Sequence, residues 1–182
     1  MKTVKTIVAT ALAGVMLFSM AGCSVKKIEP VSSSKFNSAC SEYDVELDEY
    51  AEEGYENLYF YNQYYYIDYF SYTDADAAED LYEDAYGSFD HAKSGNDFSG
   101  TSRFVSMDDF KYMLFNGNSD TDGLFEPLSD FYESLGGELD GYVYGGIFWA
   151  DDMIIVCVTT SSDKEDKDLI NNILSEIGYP HP

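Results

Sequence analysis

Positive charge is scarce in this chain. Ten Lys and Arg residues stand against 34 Asp and Glu, Arg103 is the single arginine, and the formal charge is −24 at pH 7. A surface of that sign repels nucleic-acid phosphates and anionic lipid headgroups, which excludes nucleic acid as a partner. One guanidinium also leaves little for bidentate clamping of phosphate or carboxylate ligands. Histidine is almost missing: His91 falls in a polar stretch and His181 is one residue from the end. Such positions give no argument for a Ser-His-Asp or Cys-His arrangement. There is no Cys-x-x-Cys, His-x-x-x-His or glycine-rich phosphate loop. Acidic chains can be disordered, but 16% of this one is aromatic and its apolar residues recur periodically, which argues for a packed core.

The N-terminus has its own grammar. Lys2 and Lys5 open it, residues 7–18 are apolar apart from Thr10 and Gly14, and Ser19-Met20-Ala21-Gly22-Cys23 closes it. The apolar stretch is shorter than the roughly 20 residues a membrane-spanning helix takes, and the layout is that of a signal peptide. Met20-Ala21-Gly22-Cys23 resembles the lipobox of bacterial lipoprotein precursors, with Met20 where that family usually has Leu. The resemblance implies cleavage before Cys23 and a diacylglyceryl group on its thiol. It also implies a chain held on the outer, extracytoplasmic face of the cell membrane. Two acyl chains anchor stably where one is marginal.

Residues 1–22 contain two lysines and no acid, so their removal takes the formal charge from −24 to −26. Residues 23–35 then read as the lipidated cysteine and a tether, through Lys26-Lys27, Pro30 and Ser32-Ser33-Ser34. Residues 36–182 are long enough for one domain with a real core. Cys40 and Cys157 remain, an even pair outside the cytoplasm, open either to a disulfide or to two buried thiols.

Phe36, Ala39, Cys40 and Tyr43 share a helical face over 33–43, with either a continuation to Tyr50 or a strand at Val45-Glu46-Leu47. The aromatic stretch 57–72 suggests a strand or hairpin broken at Asn62-Gln63. Thr73 is placed to cap a helix over 74–89 that buries Ala78, Leu81, Tyr82, Ala85 and Phe89. A loop follows from His91 to Gly100. Residues 102–116 suit either strand or helix, with 110–115 favouring strand and Asn116-Gly117 a turn. Pro127 fits the first turn of a helix that buries Leu128, Phe131, Tyr132 and Leu135 and ends at Gly136. Tyr142 to Trp149 pairs with Met153 to Thr160 across Asp151-Asp152. A last helix starts with a Ser162/Glu165 capping box, buries Leu169, Ile170, Ile173, Leu174 and Ile177, and stops at Gly178 and Pro180.

This order predicts an α+β domain, an antiparallel sheet of four to five strands with helices packed on one face. The closing hairpin and helix, Tyr144 to Trp149 through Ile173 to Tyr179, are similar in layout to small lipoproteins of unassigned function from Gram-positive gut bacteria. That similarity implies no activity.

Asn118-Ser119-Asp120-Thr121-Asp122-Gly123 resembles the opening half of an EF-hand calcium loop, with Asn118, Asp120 and Asp122 at alternate positions and Glu126 further on. Ser129 stands where the bidentate glutamate belongs. The same residues also make an ordinary Asp/Asn/Gly turn. No other cofactor is implied. Tyr64, Tyr66 and Trp149 are candidates for an aromatic face that binds glycan or peptide, against the alternative that they only build the sheet. The acid excess serves solubility or attracts a cation or basic partner. These readings converge on a lipid-anchored binding or interaction module. An extracellular enzyme acting on glycan or peptide through paired carboxylates and a structural envelope component are the alternatives.

Overall fold

A computed structural model describes residues 25–119 and 141–182. Seven strands form one antiparallel sheet: β1 (Asp48–Glu52), β2 (Tyr55–Tyr61), β3 (Tyr65–Tyr72), β4 (Phe98–Ser106), β5 (Lys111–Ser119), β6 (Gly141–Ala150) and β7 (Met153–Thr159). Their order is β1-β2-β3-β7-β6-β5-β4, so the closing hairpin β6–β7 is central. The three described helices are α1 (Ser33–Ser41), α2 (Ala75–Gly95) and α3 (Lys164–Glu176).

The α+β class is as expected, but the sheet is larger than four to five strands and its helices are not confined to one face. Period-two alternation explains the second point. On β7, Met153, Ile155 and Cys157 join the apolar layer of α1 and α3, while Ile154, Val156 and Val158 join the layer of α2. Every residue of β7 is buried, which requires cover on both sides.

Backbone chemistry sets the turns. Asn62 Oδ1 accepts from the amides of Tyr64 (2.8 Å) and Tyr65 (3.0 Å), the Asx turn that separates β2 from β3. Asp151 adopts φ +56° between β6 and β7. Gly145 lies at φ +144°, and a Cβ there would fall 2.0 Å from the Cys157 carbonyl oxygen. Only glycine lets β6 and β7 approach this closely.

Several boundaries differ from expectation. Chain beyond α1 does not continue as helix to Tyr50; it enters edge strand β1, whose five residues are all exposed. Asp74, not Thr73, caps α2, its side chain accepting from the Asp76 amide. The helix runs through His91 to Gly95 because Ala92 extends the buried stripe, and Asn96 in the left-handed conformation ends it. Asn116-Gly117 is no turn but lies inside β5, opposite Thr101 and Gly100. Asp163 occupies the N-cap of α3 and makes no side-chain capping bond. The Ser162/Glu165 box is thus one residue out of register. The helix expected from Pro127 lies outside the described residues.

Part of the expected tether is built into the fold. Ile28 and Val31 are buried with α1 and α3. The Tyr69 hydroxyl donates to the Val31 carbonyl (3.0 Å) and that of Tyr179 to the Glu29 carbonyl (2.8 Å). Lys26 Nζ reaches the Tyr179 carbonyl at 3.3 Å.

Candidate functional site

Four separate segments meet at one end of the sheet: residues 28–30, the first turn of α2, the β4–β5 turn and the β6–β7 turn. Between them lies a cleft of about 410 Å³. Six carboxylates line it, from Glu29, Asp76, Glu79, Asp108, Asp109 and Asp151, with Trp149 among the lining residues. Trp149 is 5% exposed and belongs to the apolar layer under α2, so the cleft's lining is acidic with one mostly buried indole.

Two lysines answer part of this charge. Lys111, paired in register with Trp149 across β5 and β6, carries its ammonium 5.3 Å over the indole ring. There it meets Glu79 at 2.7 Å and also pairs with Glu83. Its side chain is 11% exposed. Burial acts to lower the Lys111 pKa, but the hydrogen bonds to Glu79 and Glu83 outweigh it and leave the ammonium held above the ordinary lysine value. Lys27 pairs with Glu29 (2.9 Å) and Asp109 (3.2 Å), all well exposed. None of the salt bridges between described residues involves Asp76, Asp108 or Asp151. The cleft therefore keeps an excess of negative charge, concentrated by its concave shape.

The aromatic candidates do not converge. Tyr64 is 47% exposed in the β2–β3 turn, whereas Tyr66 is 5% exposed in the layer under α2. Tyr66 pairs with Val158 and Trp149 with Ile154, which sets the two four residues apart along β7. Tyr66 and Trp149 are core components, and Trp149 also lines the acidic cleft. The calcium motif begins inside β5, where Asn118 pairs with Ser99 and Tyr142; Asp120, Asp122 and Glu126 lie outside the described residues. Among those residues no group of three His, Cys, Asp or Glu is placed to hold a metal. Cys23 likewise lies outside them. Cys40 and Cys157 are buried, unbridged thiols in the layer of α1 and α3. Burial pushes the Cys40 thiol up to about 12.

Asp68 is the one fully buried carboxylate among the described residues. It lies within β3 and its Oδ1 accepts from the Tyr61 hydroxyl at 2.5 Å. A smaller hollow of about 210 Å³ is flanked by Arg103, His181 and Pro182.

The cleft was not legible beforehand. Its carboxylates come from positions as far apart as Glu29 and Asp151, and no local pattern links them. The only hints were the Asp108-Asp109 and Asp151-Asp152 pairs next to strand-like runs. Compared with family models, with curated proteins and with solved structures, the chain matches none.

Proposed function

We propose that this chain is a lipid-anchored, extracytoplasmic binding module, and that the acidic cleft takes a cationic ligand. The single observation that carries the binding reading is the cleft: six carboxylates around about 410 Å³, with Trp149 among the lining residues. Opposite charge attracts a cation into a concave site. Lys111 held by Glu79 and Glu83 is the same attraction made within the chain. The anchoring part rests on the lipobox resemblance at Met20 to Cys23 and on the apolar segment before it.

Trp149 is the only tryptophan, so its emission reports on the cleft directly. Spermine and oligolysine, titrated at low ionic strength, serve as cationic probes. A saturable change in Trp149 emission is expected, weakened by sodium chloride and by Asp108→Asn with Asp109→Asn. If emission stays flat with every probe, or if the change persists in the double variant, the cleft is not the binding site.

A further inference from the structure

The described chain begins at the same end of the sheet as the cleft. Val25 and Lys27 line a second, shallow hollow with Met107, Asp108, Asp109 and Phe110 of the β4–β5 turn. Large apolar side chains are seldom exposed among the described residues. Among the described residues Val25 (43%), Met107 (42%), Tyr50 and Tyr64 are the ones that are, and two of the four share this hollow. From Ile28 onward the chain is fixed to the domain by burial and by the Tyr179 and Tyr69 hydroxyls. Only two peptide links separate Val25 from Cys23, a reach of about 7 Å at most.

We infer that the domain stands on the bilayer by its β4–β5 turn, with Val25 and Met107 seated at the headgroup level. This inference rests on lipid attachment at Cys23. With its acyl chains in the membrane, a lipidated Cys23 holds Val25 within that short reach of the headgroups. The neighbouring Met107 is brought down with it. An apolar side chain gains by entering the interfacial region instead of facing water. Lys27 pairs with Asp109 here, which offsets part of the charge that Asp108 and Asp109 set against anionic lipid. The β2–β3 turn, with Tyr64, lies at the opposite end: β3 runs eight residues from Tyr65 to Tyr72, about 26 Å at strand rise.

The test uses the full chain, processed in a bacterial host and reconstituted into phosphatidylglycerol–phosphatidylethanolamine vesicles that carry a nickel-chelating lipid. A spin label is placed at Met107→Cys or at Tyr64→Cys; Cys40 and Cys157 are buried and do not compete. Vesicle flotation is measured alongside. The expected result is relaxation by the headgroup nickel several-fold stronger at position 107 than at 64, and lost in a Cys23→Ser background that no longer floats. If the protein floats but both labels relax equally, or position 64 more, the orientation is overturned and the anchor stands. If the protein with Cys23 intact does not float, the anchor itself is wrong and the orientation falls with it.

Discussion

The ammonium of Lys111 lies over the indole of Trp149 because β5 and β6 pair these two residues directly, on the face covered by α2. Glu79 and Glu83, one turn apart on α2, close on it from above. Replacing either glutamate leaves the ammonium one partner. Glu79→Gln alone should therefore cost no more than about 1 kcal/mol, since both carboxylates are partly exposed. Glu79→Gln with Glu83→Gln leaves a mostly buried cation unpaired and should cost about 3 kcal/mol. Urea denaturation of both singles and the double checks this, and additive small losses would mean that the pair is not coupled.

The same cluster gives alkaline pH dependence. The Lys111 pKa is raised in the folded state, so the folded protein holds that proton more tightly than the unfolded chain. The stabilisation is complete below the ordinary lysine range of about 10.4 and is lost as pH rises through the folded value. Lys111→Met keeps the apolar stem and removes the charge. The stability gap between wild type and variant should shrink above pH 10; a gap constant to pH 12 would show that the charge contributes nothing.

Buried thiols should be silent. Cys40 and Cys157 are unbridged and enclosed, and the thiolate is the reactive form. In a Cys23→Ser variant, Ellman's reagent should find no thiol in the native protein and two after denaturation. Two fast-reacting thiols would mean an open core, and none after denaturation would mean a disulfide.

The α3 stripe was the most legible part of the sequence. Ile170, Ile173, Leu174 and Ile177 are buried as their spacing predicts, with Leu169 partly so. Ile173→Ala should cost about 2–5 kcal/mol, while exposed Asn172→Ala should leave the melting temperature nearly unchanged. Hairpin β6–β7 was equally readable, since two apolar runs flank Asp151-Asp152. The run Ile154 to Val158 predicts a strand buried on both faces or nearly so, as β7 is; only the expectation of helices on one face was at odds with it. Ile154 to Val158 is unbroken, a pattern that one-sided packing leaves half bare. The exposed strand β1 carries no hydrophobic alternation; only backbone pairing with β2 defines it. Asn116-Gly117 looked like a turn because its glycine was taken for conformational freedom. Its role is close approach: a Cβ on Gly117 would meet the Ser99 carbonyl oxygen at 2.4 Å.

Screening should stabilise the fold. With a formal charge of −24, like-charge repulsion opposes the compact state, and raising sodium chloride from 0.01 to about 0.5 M shortens the Debye length severalfold. The melting temperature should rise. Calcium at matched ionic strength should exceed sodium only if the 118–123 segment binds it, and Asp120→Asn with Asp122→Asn should then abolish the excess.

The strap at residues 25–31 has a mechanical meaning. A pull on the N-terminal end reaches the sheet through side-chain fastenings: Lys26 on the Tyr179 carbonyl, Lys27 on Asp109, Tyr179 on Glu29 and Tyr69 on Val31, with Ile28 and Val31 buried among them. These lie in sequence along the strap and open one after another, as a zipper does, with β3 loaded last, through Tyr69. Peeling back to the Ser33 start of α1 frees eight residues, about 27 Å of slack. Under tension the domain lengthens its leash before it surrenders its core.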